Sequence, residues 1–161
     1  VRIKTTTQKL AYVGIFTALG VILGTISFPV GPTKVAPFQH FINVTTGVLL
    51  GPWWAFLTAL FIGILRMSLG VGTIFSIPGG IPGAFTVGLV YKILKKDWAA
   101  FSEPLATVFI GGTLSALLFG PLINVHKGVV WFWIAFAPST LVGTTLGFLT
   151  LKALRRMEVI E

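Results

Sequence analysis

Cysteine is absent from this 161-residue chain. Disulfides, thiolate metal sites and cysteine nucleophiles are excluded together. Acidic residues are scarce: four Asp and Glu stand against twelve Lys and Arg. Charged residues make up 10% of the chain, where soluble domains carry about 25%. Histidine occurs twice, at His40 and His126, too far apart in sequence to suggest a metal site. No pair of carboxylates suggests general acid–base work, and no Gly-x-Ser-x-Gly elbow is present. A Gly-x4-Gly-Lys-Ser/Thr loop is missing too, so the chain is not expected to hydrolyse ATP itself. What is abundant is apolar. Residues of the AVILMFWYC set make up 55%, glycine adds 19 positions, and mean hydropathy is +0.94. A soluble protein of this size could not bury that much apolar surface. Composition therefore excludes an ordinary soluble enzyme, a disordered chain and a nucleic-acid-binding domain, despite a net charge of +8. It points to an integral membrane protein with no catalytic and no metal site.

Pro and Gly punctuate the apolar runs. Six segments emerge as candidate spans of one transmembrane domain, 1–161: residues 10–28, 37–50, 53–69, 82–95, 104–123 and 129–151. The run from Leu10 has no small-x-small cleavage end, so it reads as a span rather than a signal peptide. The second and fourth segments are short. Fourteen residues give ~21 Å of helix at ~1.5 Å per residue, against a ~30 Å hydrocarbon core. Both follow Pro/Gly-rich stretches. Irregular backbone at membrane depth survives where protein or a wet cavity covers it, which suggests a binding cavity. Tilt or a locally thin bilayer is the alternative.

The expectation is an all-α, six-transmembrane-helix bundle. Arg2, Lys4 and Lys9 precede the first span; Lys92, Lys95 and Lys96 follow the fourth; Lys152, Arg155 and Arg156 follow the sixth. With six spans, these nine of the twelve basic residues share one side, so both termini are expected in the cytoplasm. Lys34, Gln39, His40, Asn43, Arg66, Ser76, Asn124, His126 and Lys127 then fall toward the outside. Asp97, Glu103, Glu158 and Glu161 fall toward the cytoplasm, leaving the outer half without a carboxylate.

A polar cluster at one depth, supplied by several segments, suggests an outward-facing substrate pocket. Gln39, His40 and Asn43 stand on one helical face and can donate and accept hydrogen bonds. Their other reading is hydrogen bonding between helices. Arg66 is embedded in the third span, where an unpaired charge is costly. It must snorkel, bind carbonyls at helix ends or meet a ligand oxygen. Asn124 completes the polar set. Trp131 and Trp133 are candidate aromatic walls, or members of the interfacial aromatic belt. On the first helix, Ala11, Gly14 and Ala18 form a small-residue face suited to close helix packing. That face fits either a partner subunit or the protein's own bundle. With no acid expected in the membrane interior, proton or sodium coupling lacks its usual groups, so a carrier of this kind would need another subunit to drive it.

The stretch Gly31-Pro-Thr-Lys-Val-Ala-Pro-Phe-Gln-His-Phe-Ile-Asn-Val44, together with Gly63-Ile-Leu-Arg-Met-Ser-Leu-Gly70, Ile77-Pro-Gly-Gly-Ile-Pro-Gly83 and Glu103-Pro104, resembles the S components of energy-coupling-factor (ECF) vitamin importers. Within them the chain is most similar to the ThiW family, linked to hydroxyethylthiazole, a thiamine precursor. The resemblance implies a prokaryotic, multi-pass cell-membrane protein that captures a small molecule. It implies a transmembrane coupling subunit and two ATPase subunits as partners, with ATP used by those partners and no cofactor in this chain. Membrane lipid is the remaining partner, and nucleic acid is not one. S components typically carry an Ala-x-x-x-Ala docking face on helix one; here Gly14 and Ala18, with Ala11 nearby, match it loosely. An S component for another vitamin or precursor is the alternative. A small structural or assembly membrane protein without a ligand is the second.

Overall fold

The computed structural model describes residues 3, 5–30 and 33–160. Arg2 and Lys4 of the N-terminal basic cluster lie outside the described residues, as does the side chain of Lys34. Helix α1 spans Thr6–Leu23 and is closed at its start by a reciprocal cap: Gln8 N–H donates to Thr5 Oγ1 and Thr5 N–H donates to Gln8 Oε1. It stops at Leu23, short of residue 28. A short antiparallel ribbon follows, with β1 at Phe28–Val30 and β2 at Thr33–Val35, and Phe28 pairing with Val35. The molecule is otherwise helical: α2 Pro37–Leu50, α3 Pro52–Ser68, α4 Ile81–Leu94, α5 Asp97–Leu122 and α6 Val129–Arg156. Proline opens α2, α3 and α4 at a first-turn position, where its missing N–H has no helical partner anyway. Between α2 and α3, Gly51 adopts φ 89°, a left-handed value that lets the chain reverse directly into Pro52.

Helix α5 begins seven residues earlier than the expected 104. It opens as a 3₁₀ turn over Asp97–Phe101, and Pro104 falls in the first α-helical turn, where it interrupts nothing. The helix then widens into π geometry over Ala106–Gly111 and again over Ser115–Phe119. Because of the early start, Glu103 lies inside the helix rather than in the preceding loop.

Helix α2 is the centre of the bundle. Eleven of its fourteen residues are buried, and it packs chiefly against α4 and α6, with α3 and α1 alongside. Its shortness is therefore covered by protein rather than presented to lipid. Val44 and Val48 of α2 meet Val87 of α4 and Phe148 and Leu151 of α6 in the main apolar cluster. A second contact of Ala55 and Ala59 with Ala84 joins α3 to α4. Outside this core the surface is apolar: Ile15, Ile22, Phe61, Leu89, Leu117, Ile134 and Leu149 are all exposed. The α1, α5 and α6 helices, and the stretch Ile74–Leu94 containing α4, are long and apolar enough to cross a membrane. A multi-pass membrane protein fits this pattern, and a soluble one does not.

Successive helices alternate in direction. The end of α1, the start of α2, the end of α3 and the start of α6 meet at one end. At the other, Arg155 of α6 donates through Nε to both Asp97 carboxylate oxygens at 2.9 and 2.8 Å, and through Nη2 to the Tyr91 hydroxyl at 2.7 Å. That fork ties α4, α5 and α6 together next to Lys92, Lys95 and Lys96.

Glycine permits the closest helix contact. A Cβ on Gly143 of α6 would collide with the Pro37 carbonyl oxygen and lie 2.6 Å from His40 Cβ. Gly14 of α1, by contrast, faces open space. Gly143→Ala is expected to destabilise the protein by about 1–3 kcal/mol through overpacking. Gly14→Ala is expected to leave stability unchanged or raise it, since alanine is the better helix former. Unfolding of the two variants in detergent would check the contrast, and equal stabilities would contradict the packing described.

Candidate functional site

A cavity of about 650 Å³ opens where those four helix ends meet, within the ~300–1,000 Å³ typical of small-molecule sites. Helix α2 contributes Gln39 and His40 from its first turn, and α3 contributes Arg66 from its last. Helix α6 contributes Trp131, Phe132, Phe136 and Ser139. The loop around Gly70–Ser76 closes the remaining side. Ser139 Oγ accepts the Ala36 N–H at 3.0 Å, which anchors the start of α2 against α6.

One wall is built around Arg66. Its guanidinium donates to Gln39 Oε1 at 2.5 Å and to the Gly24 carbonyl at 2.8 Å. The Gln39 amide in turn donates to the Ser76 carbonyl at 2.9 Å. Gly24 must lack a side chain, because a Cβ there would lie 2.7 Å from Arg66 Nε. Arg66 Nε has no partner among the described residues. All the Arg66 acceptors are neutral, so its positive charge is not cancelled by direct contact. It is the one Lys, Arg, Asp or Glu side chain among the described residues lining the cavity.

Behind His40 lies a second, wholly buried network. Glu103, 0% exposed, takes His40 Nδ1 at 2.8 Å, Asn43 Nδ2 at 3.1 Å and Thr107 Oγ1 at 2.9 Å on Oε1, and Thr144 Oγ1 at 3.3 Å on Oε2. Asn43 Nδ2 also donates to the Gly80 carbonyl at 3.1 Å. Gly83 of α4 leaves room for the carboxylate; a Cβ there would lie 2.5 Å from Glu103 Oε1. Among the described residues no group of three His, Cys, Asp or Glu side chains is arranged to hold a metal.

The structure brings Gln39, His40, Arg66 and Trp131 together on the cavity, and sets Asn43 one turn deeper, at 1% exposure, in the Glu103 network. Trp133 does not line the cavity. Two residues on from Trp131 it points elsewhere on the helix, donating to Thr113 Oγ1 at 3.2 Å and meeting Phe109 edge-on. Asn124 is exposed in the turn after α5, in a left-handed conformation with φ 58°, and Val125 reaches the cavity instead. His126 and Lys127 are exposed in the same connection. Ala11, Gly14 and Ala18 are exposed on α1, away from the bundle.

Glu103 corrects the reading of the sequence. A carboxylate expected in a cytoplasmic loop, apart from the polar trio, is instead buried in the bundle against two members of it. The bundle therefore does hold an interior acid, and the argument against proton or sodium coupling from its absence falls away. The signal was available: Glu103 sits between the apolar runs 98–101 and 104–106, four residues before Thr107. Pro104 masked it, being read as a helix start. Phe132, Phe136 and Ser139 were also missed, although their spacing of four and three places them on one helical face.

The fold is that of an ECF S component. A crystal structure at 2.1 Å of the S-component for biotin from an ECF-type ABC transporter matches 98% of this chain and 96% of its own, with a TM-score of 0.64 and 20% sequence identity. Residues 10–157 match the family described as "Thiamine-precursor transporter protein (ThiW)", and the chain belongs to that family. It is a transporter component, not an enzyme. A folate transporter, FolT, from Streptococcus mutans is 30% identical over 83% of this chain and 76% of the relative.

Asn43 donates to both the Gly80 carbonyl and Glu103, so Asn43→Leu removes one donor from each and sets an apolar side chain beside a buried carboxyl group. The expected cost in the ligand-free protein is about 1–3 kcal/mol, read as a lowered melting temperature in detergent. An unchanged melting temperature would show that the network does not support the fold.

Proposed function

We propose that this chain is the substrate-capturing subunit of an ECF importer for hydroxyethylthiazole. The single observation that carries the reading is the cavity wall, considered within a family of thiamine-precursor transporters. Arg66 supplies its formal charge, and Phe132, Phe136 and Trp131 supply aromatic surface. Glu103 stands behind His40, taken up by four donors, and does not line the cavity. Thiamine carries a permanent positive charge and would meet Arg66 without a facing carboxylate. A small, neutral, electron-rich thiazole alcohol suits the same wall. Its ring can lie against the aromatic side chains, and its nitrogen and hydroxyl can use the polar groups.

The protein crosses the cell membrane of a prokaryote six times, with both termini in the cytoplasm and the cavity facing out. Support comes from the end opposite the cavity, which gathers Lys9, Lys92, Lys95, Lys96, Lys152, Arg155 and Arg156. A transmembrane coupling subunit docks on the α1 face of Ala11, Gly14 and Ala18, and two ATPase subunits supply the driving force from ATP. The exposure of all three residues, and the open space beside Gly14, supports a docking surface rather than internal packing.

Calorimetry of the purified protein against hydroxyethylthiazole, its phosphate, thiamine, folate and biotin tests the substrate. Saturable binding led by hydroxyethylthiazole is expected. Preference for folate or biotin would assign the chain to another vitamin, and no binding across the panel would favour a structural role. Docking is tested separately: Ala18→Leu is expected to abolish assembly with the coupling subunit while ligand affinity stays within about twofold, since contacts outside a site add little to binding energy. Lost binding with preserved assembly would place α1 in the substrate site instead.

A further inference from the structure

Gly80, Asn43, Glu103 and His40 set one another's hydrogen-bond polarity in turn. The Gly80 carbonyl can only accept, so the Asn43 atom 3.1 Å from it is the amide nitrogen. That same nitrogen lies 3.1 Å from Glu103 Oε1 and donates there too. Thr107 Oγ1 adds a hydroxyl donor to Oε1 at 2.9 Å. Oε1 is thus an acceptor, and His40 Nδ1, 2.8 Å away, carries the hydrogen between them. In a neutral imidazole the other nitrogen, Nε2, then holds a lone pair. His40 forms part of the cavity wall, and its Nε2 makes no hydrogen bond among the described residues.

We propose that Glu103 is a positioning residue for substrate selection: through Nδ1 it holds His40 in the tautomer that offers Nε2 to the cavity as a hydrogen-bond acceptor, and the occupant meets it with a hydroxyl donor. The identity of that hydroxyl rests on the hydroxyethylthiazole reading; the tautomer is a property of the empty protein. The thiazole ring has only acceptors, so the alcohol O–H is the group that can satisfy Nε2. A methyl ether has no hydrogen to give. A phosphate ester would set acceptor oxygens against the lone pair. Selection for the free alcohol follows from the orientation of one imidazole.

The test begins without ligand. Nitrogen NMR of ¹⁵N-histidine-labelled protein, with His126→Gln leaving His40 as the single signal, reports which ring nitrogen is protonated. The expected spectrum has hydrogen on Nδ1 and none on Nε2. A glutamine amide can donate to Nδ1, so Glu103→Gln is expected to shift the ring toward the Nε2–H form, which a purely structural role would not do. Calorimetry then compares hydroxyethylthiazole with its O-methyl ether. Wild type should favour the alcohol by about three- to tenfold, the worth of one hydrogen bond, and Glu103→Gln should lose that preference. Hydrogen on Nε2, or on both nitrogens, in the wild-type spectrum would overturn the tautomer assignment whatever the ligand. The expected tautomer with equal affinity for alcohol and ether would overturn the hydroxyl contact. Binding of neither probe would overturn the hydroxyethylthiazole reading, and the hydroxyl clause with it, while the spectrum still decides the tautomer. Both wild-type measurements stand without Glu103→Gln.

Discussion

A carboxylate cannot be placed in an apolar interior without donors, because the desolvation cost is several kcal/mol. Glu103 meets that constraint with donors drawn from three helices: His40 and Asn43 of α2, Thr107 of its own α5 and Thr144 of α6. Helix α4 contributes a vacancy, the missing side chain of Gly83, and a carbonyl acceptor just before its start, at Gly80. Four helices are thereby held in one mutual rotation. The orientation of α2 follows, and with it the presentation of Gln39 and His40 to the cavity.

Arg66 solves the opposite problem at the cavity itself. Arg66 is 6% exposed, and its guanidinium is held by a helix-terminal carbonyl and a side-chain amide. Such neutral partners satisfy hydrogen bonding without neutralising charge, so the cavity retains a positive wall. The carboxyl group of the interior sits behind an imidazole, engaged by four donors. This separation gives the cavity wall its sign, positive on the Arg66 side.

Helix α2 connects these two networks to the bundle as a whole. At 14 residues it is short for a span, yet it is enclosed by its neighbours, chiefly α4 and the 28-residue α6. Polar side chains can sit on a helix so enclosed because none of them needs to face lipid. Helix α1 is at the other extreme, with Val13, Thr17 and Gly20 its buried residues. Buried polar groups and exposed small residues therefore occupy different helices, an enclosed centre for one and a bare outer face for the other.

Much of this was legible in the chain itself. Apolar runs punctuated by Pro and Gly mark helix positions because proline lacks an N–H and glycine admits left-handed turns. The grouping of Gln39 and His40 followed from their place at the start of a short helix, and the isolation of Arg66 from its embedding in an apolar run. Composition alone spoke against a soluble enzyme, and the lack of cysteine excluded thiol chemistry. What the chain could not disclose depends on the rotation of helices about their axes. Glu103 and His40 are 63 residues apart, and no local periodicity registers whether two such side chains face each other. Trp131 and Trp133 likewise diverge because a helix turns them apart, and which of them meets the cavity is settled by how α6 packs on α2. That packing is set by close contacts such as Gly143 against Pro37, formed between distant segments, so only the tertiary structure could decide it.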